Sequence, residues 1–259
     1  MRLVADDYAY TSEISKSILY LLENERIQGT SCMVVTQAWK KDVGALKALK
    51  ERKPELQIGL HITMTGDWLK PCGNALDWPV FPTMLQLLLK SHLGMLSTSK
   101  IEEEISSQIR LFVADFGQLP DFVDGHEHVH LFPQIRKACV SALHAACFTG
   151  WVRQCGGPLK GVLKRPFRVK SLFLNYLSWS FKRAADRNGI SYNQDFAGIY
   201  DFSLESDFTN LLQTWRETAT DDSVCMCHPG VAQSSSNTPD PIADSREREL
   251  RVLSGAARH

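Results

Sequence analysis

No apolar run in this chain is long enough to cross a bilayer: the richest, around Met84 to Leu89, falls far short of the roughly 20 residues a spanning helix needs. An excess of one charge is also missing, since 29 Lys and Arg stand against 29 Asp and Glu. That balance removes the general pull toward nucleic acid or anionic lipid, and neither is expected as a partner. The one local exception, the basic run Lys160 to Lys170, holds a single aromatic, Phe167, rather than stacking residues interleaved through it, and reads as a solvated loop. The seven cysteines are odd in number and form no CxxC pair, which argues against a disulfide framework and for a reducing compartment, with the cytoplasm as the default. Export is not expected either, because MRLVADD reaches two carboxylates by residue 7 with no apolar stretch of signal-peptide length. Internal repeats, low-complexity domains and a clear linker are absent, so one domain over residues 1–259 is the simplest account.

What remains is the composition of a globular protein, 44% apolar and 22% charged, at a length ordinary for an α/β barrel. RLVA at 2–5 reads as a short buried strand. After the loop DDYAYTSE, Thr11 or Ser12 caps a helix carrying Ile14, Ile18, Leu21 and Leu22 at helical spacing. The β-prone TSCMVV at 30–35, a helix with Val43, Leu46 and Leu49 on one face, and the strand LQIGLHITM follow in turn. This βαβαβ alternation predicts a parallel sheet flanked by helices. Residues 66–82, rich in Gly, Pro and Trp, read as a long loop. Helices are expected near 82–91 and 99–116, then a strand at FVDGH, then a helix opened by Pro133. Between Gly150 and Phe202 the pattern weakens: WVRQC reads as a short strand, 171–187 as helix, and DFAGIYDFS at 195–203 as a loop or insertion. A helix at 205–219, the strand SVCMC, the polar AQSSSNTPDP and a charged helix over 242–253 complete the chain.

In VDGHEHVHLFP an extended strand would project Asp124, His126, His128 and His130 from one face. In parallel α/β architectures, chemistry gathers at the carboxyl ends of strands. Asp6 and Asp7 end the first strand, His61 lies toward the end of the third, His126 follows FVDG, and His228 ends SVCMC. All four places share one rim. A carboxylate with two imidazoles makes a metal site with open positions, suited to activating water. A second carboxylate can take the water's proton, and a separate histidine can protonate a leaving group. Cys225 and Cys227 alternate away from His228 and read as core thiols rather than zinc ligands.

ADDY at 5–8, GLH at 59–61, DGHEHVHLFP at 124–133, CHPG at 227–230 and the closing DPIADSRERELRVL together resemble the YdjC-like carbohydrate deacetylases, nearly end to end. The resemblance implies a deformed TIM-like (β/α) barrel that removes an acetyl group from an N-acetylated sugar with one divalent metal, magnesium or zinc. It implies Asp7, His61 and His126 as metal ligands, Asp6 as general base, and His228, as imidazolium, as general acid. Asp124 would orient a ligand imidazole. Two positions depart from the family pattern. Ala9 stands where Gly is usual, at a cost of about 1–2 kcal/mol if φ is positive there, and Glu127 adds a charge that an extended strand would turn away from His126.

Around this set, His128 and His130 read equally as pocket floor or as hydrogen-bonded loop histidines, and His92 and His144 as surface residues. Arg153, Trp68, Trp78 and Tyr176 are candidates for sugar contact or for packing, and Met33, Met64 and Met226 for core. Two other functions stay open: a sugar-binding barrel without turnover, and a two-histidine, one-carboxylate Fe(II) oxygenase. A homodimer is neither indicated nor excluded.

Overall fold

The computed structural model describes residues 1–157, 168–231 and 238–255. Most of the basic run at 160–170 and the polar segment at 232–237 lie outside the described residues. The chain runs β1 (Arg2–Tyr8), α1 (Ser12–Glu23), β2 (Gly29–Cys32), α2 (Trp39–Arg52), β3 (Gln57–Ile62), α3 (Met84–His92), α4 (Thr98–Phe116) and β4 (Phe122–Gly125). A 3₁₀ turn (His126–Leu131), α5 (Pro133–Ala145), β5 (Trp151–Val152), α6 (Arg168–Arg187), β6 (Ser191–Tyr192), β7 (Asp195–Ala197), α7 (Phe208–Thr218), β8 (Ser223–Cys227) and α8 (Ala243–Ser254) follow.

All eight strands are parallel, in the order β6-β5-β4-β3-β2-β1-β8-β7. The outermost two, β6 and β7, are joined by only Asn193 and Gln194. One extended stretch therefore lies along β5 at its start and along β8 at its end. The Gln154 amide holds this junction by donating to the Asn193 and Gln194 carbonyls at 2.9 and 3.1 Å. The sheet thus curls until its two edges meet in the chain, the deformed α/β barrel that the alternation of elements suggests. Sequence analysis missed β7, treating DFA as loop. Three residues are too few to display a strand period.

Local chemistry sets the helix ends. The Thr11 hydroxyl accepts from the Ile14 amide at 3.3 Å, and Thr83 with Gln86 forms a capping box on α3. Gly117, at φ 97°, ends α4 in the left-handed conformation.

The strand faces turned into the barrel position the site. Val4, Phe122 and Val224 form a buried apolar cluster closed by Trp151, whose ring stacks on Phe122 at 4.6 Å. Gly59 leaves room for it, because a Cβ there would stand 2.5 Å from the Phe122 ring. Two residues further along these strands the same face carries Asp6, His61, Asp124 and Arg153, with Met226 beside them. A polar layer thus rests directly on an apolar one.

Candidate active site

The polar layer is a chain of contacts across the barrel. On β2, Ser31 Oγ lies 3.1 Å from His61 Nδ1, and the same nitrogen is 2.6 Å from Asp124 Oδ1 on β4. The other oxygen of Asp124 pairs with Arg153 just beyond β5, and Arg153 reaches Asp6 Oδ1 at 2.8 Å. All are buried. Buried charges of this kind persist only when paired, and each here has its counter-ion.

Above this layer, Asp7 turns toward the rim. Its φ of 67° and that of Ala9, 69°, form a tight left-handed turn that lets adjacent aspartates face different partners. Ala9 does require the positive φ that its departure from glycine puts at issue. Ser15 Oγ accepts from its amide at 3.1 Å, and Thr36 donates to its carbonyl at 2.5 Å, so the strained turn is tied on both sides. Asp7 Oδ1 lies 3.2 Å from His61 Nε2 and 3.0 Å from His126 Nδ1, and these three atoms lie within 4.8 Å of one another.

The chemistry of these donors fits a cation. A carboxylate only accepts, so the close contact with Asp124 places the His61 proton on Nδ1 and leaves a lone pair on Nε2. That lone pair faces the Asp7 oxygen at 3.2 Å, an arrangement favourable only with a positive charge or proton between them. Burial pushes the Asp7 carboxyl upward, but Arg246 and His126 more than offset this and hold it well below the usual carboxylate range. Asp7 is therefore an ionised donor.

His228, at the end of β8, faces Asp6 Oδ2 across 3.9 Å. Glu249 on α8 holds it from behind, accepting from its backbone amide and approaching Nδ1 at 4.0 Å. Tyr200 donates to Glu249 at 2.5 Å. Burial lowers the His228 pKa to about 4 and raises that of Glu249 to about 7. Burial thus favours the neutral imidazole, whereas the general-acid role expected of His228 calls for the protonated ring.

The alternating-histidine strand is not there. The chain leaves β4 at Gly125 and enters the 3₁₀ turn with Glu127 and His128 at φ 52° and 60°, so the three histidines diverge. Only His126 meets Asp7. His128 packs edge-on against Phe196 at 5.9 Å and lies 3.5 Å from Cys155 Sγ. Its pKa falls well below the ordinary value through burial and the neighbouring Lys170. His130 is fully buried and bonds the Arg153 carbonyl at 2.7 Å, which fixes the backbone behind that guanidinium. Glu127, expected to point away, lines the same cavity as His126 because the extended backbone assumed for it is absent.

That cavity, of about 290 Å³, is bordered by Asp6, Asp7, His61, His126 and His228, with Tyr10 and Arg246 on its wall. Trp68 packs edge-on against Tyr10 and lines an adjoining groove of about 690 Å³ that Tyr10 also borders. Trp78 packs on Phe81 and Tyr176 is exposed on α6, so neither borders the cavity. Met33 and Met64 are core, whereas Met226, also buried, contributes to the cavity wall. Cys225 and Cys227 are buried thiols on β8.

Sequence reasoning missed two functional neighbours on α8. Arg246 donates to Asp7 Oδ2 at 2.7 Å and to Asp240 at 2.9 Å, and Glu249 supports His228. The signal was available: Arg246, Glu249 and Leu253 recur at i, i+3 and i+7, which is the inward face of a helix whose composition otherwise reads as solvated.

The family model for YdjC-like proteins matches residues 2–258. A chitooligosaccharide deacetylase of Serratia marcescens is 30% identical over 141 residues, covering 51% of this chain and 50% of that protein. One from Yersinia enterocolitica is 26% identical over 148 residues, covering 54% of each. The matched stretch spans about half the length of these curated relatives. Among solved structures, a protein from Enterococcus faecalis, named provisionally for cellobiose-phosphate cleavage, superposes with a TM-score of 0.72 at 16% identity. That match covers 97% of this chain and 89% of the other, a likeness of fold. With the family's motifs converging at one rim of the barrel and its model spanning almost every residue, the chain belongs to the YdjC-like family.

Proposed function

We propose that this chain is a metal-dependent hydrolase that removes the acetyl group from an N-acetylated sugar. The observation that carries the reading is the convergence of Asp7, His61 and His126 on one point, with Asp6 and His228 flanking it at the cavity wall. A divalent ion held by those three side chains would supply Lewis acidity, making water nucleophilic near neutral pH and polarising the acetamide carbonyl. Two nitrogen donors suit zinc better than magnesium, which prefers oxygen.

The remaining residues supply proton handling. Arg153 fixes Asp6 through Oδ1, leaving Oδ2 directed at the cavity as the base for the attacking water. His228 starts neutral and becomes imidazolium by gaining a proton during the reaction. Its Nε2 stands 3.9 Å from Asp6 Oδ2, beyond direct hydrogen-bond reach, so a single bridging water would carry the proton taken by Asp6 to His228, which then gives it to the departing nitrogen as the carbon–nitrogen bond breaks. Glu249 and Tyr200 hold the imidazole in place for the transfer. The open side of the cavity, with the Tyr10 and Trp68 rings leading away from it, suits a pyranose ring stacked on an aromatic face.

The test is acetate release from short N-acetylglucosamine oligomers and their phosphorylated forms, with zinc or magnesium supplied. Asp6→Asn should retain metal and lose turnover by at least about 100-fold, the usual scale for a general base. Unchanged turnover in Asp6→Asn would remove Asp6 from the mechanism, and oxygen-dependent turnover would replace hydrolysis with oxidation.

A further inference from the structure

The adjacent aspartates at the end of β1 share one device. Arg153 donates to Oδ1 of Asp6 at 2.8 Å and Arg246 donates to Oδ2 of Asp7 at 2.7 Å, so each carboxylate keeps a single oxygen for the cavity. For Asp7 that oxygen is Oδ1, the one facing His61 and His126. Arg246 is itself fixed on several sides. It is 1% exposed on α8, its Nε donates to Asp240 Oδ2 at 2.9 Å, and its guanidinium lies over the Tyr10 ring at 5.1 Å. Its backbone carbonyl accepts from the Gly230 amide at 3.2 Å, which ties the helix to the turn after β8. Nη1 is buried without a hydrogen bond, so among the described residues the side chain donates to Asp7 and Asp240 alone.

The charge of Arg246 opposes a dication at the neighbouring oxygen; what it supplies is geometry. Cations differ in how they use a carboxylate. Zinc is satisfied by about four ligands, whereas calcium takes about six to eight and often both oxygens of one carboxylate. We infer that Arg246 is a positioning residue that confines Asp7 to ligation through one oxygen, and so keeps the site low in coordination number and selective for zinc-like ions over calcium. Without the guanidinium, the Asp7 carboxylate is free to turn about its Cβ–Cγ bond and offer both oxygens. Lysine does not replace it, because an ammonium is a rotating point charge that lacks the planar fork needed to fix two carboxylates at once. This inference rests on the metal site proposed above and adds a residue outside its donor set.

Cobalt(II) is the probe, since its visible absorption is strong in four-coordinate sites, weak in six-coordinate ones, and read without turnover. Chelator-stripped wild type is titrated with cobalt, zinc and calcium beside Arg246→Met and Arg246→Lys, with circular dichroism as the check on folding. The wild type is expected to show strong cobalt bands. Both variants are expected to show weaker bands, and a preference for zinc over calcium at least about 10-fold smaller, the scale on which outer partners tune metal sites. Should Arg246→Met not fold, Arg246→Lys decides, because it keeps the buried charge. Weak bands in the wild type would overturn the inference, as would variants with wild-type bands and an unchanged ratio. Arg246→Lys alone matching the wild type would overturn it by leaving Arg246 only charge balance. A wild type that binds none of the three ions would remove the metal site itself, and the inference with it.

Discussion

Asp124→Asn isolates the contact that sets the tautomer of His61. Asp124 touches none of the open part of the cavity; it lies beneath, 2.6 Å from His61 Nδ1 and paired with Arg153. Asparagine keeps the size and, with its carbonyl turned to His61, keeps a hydrogen bond, but a neutral one about half as strong as the charge-assisted original. The imidazole then becomes a poorer donor at Nε2 and its orientation loosens. Loss of such an outer partner ordinarily weakens metal binding by 10–100-fold, or about 1.4–2.7 kcal/mol. Arg153 also loses one of its two carboxylates and keeps only Asp6. The assay is isothermal titration of chelator-stripped protein with zinc, run beside Asp6→Asn. Asp6 is not among the three donors, so its variant should bind zinc within a few-fold of wild type. Equal zinc affinity for wild type and Asp124→Asn would refute the reasoning, because His61 would then be no ligand or would not depend on Asp124.

Two further effects follow from the fold. Ala9→Gly relieves a φ of 69°, and after the entropy that glycine adds to the unfolded chain it should stabilise the protein by about 0.5–1 kcal/mol in denaturant titration; a loss of stability would show that the turn does not carry this strain. Burial lowers the His130 pKa to about 4 from an ordinary 6.5. The unfolded chain therefore binds the extra proton first, and the contribution of neutral His130 is complete above pH 6.5 and lost as pH falls toward 4. The stability gap between wild type and His130→Gln should shrink by up to about 3 kcal/mol over that window, and a gap independent of pH would contradict the burial argument.

Much of the site was legible because strand ends in a parallel barrel share one rim. Asp6, Asp7, His61, His126 and His228 each follow an apolar run whose strand character is plain, and the structure gathers all five. Asp124 was legible as a partner for one of these imidazoles, through its place one strand period before His126, and it meets His61. The failures have physical causes. Period-two spacing in HEHVH is compatible with a strand, but spacing carries no information on φ, and the left-handed Glu127 and His128 break the strand. Arg246 and Glu249 were hidden because a charged helix ordinarily faces water; here each charge is buried beside a specific partner, which composition cannot show.

The most direct measurement is anomalous diffraction at the zinc edge from crystals of the protein grown with zinc. The account predicts one peak bonded to Asp7 Oδ1, His61 Nε2 and His126 Nδ1, at about 2.0–2.2 Å from each. A peak held by other side chains, or none while Asp7 stays bound to both histidines directly, would contradict it.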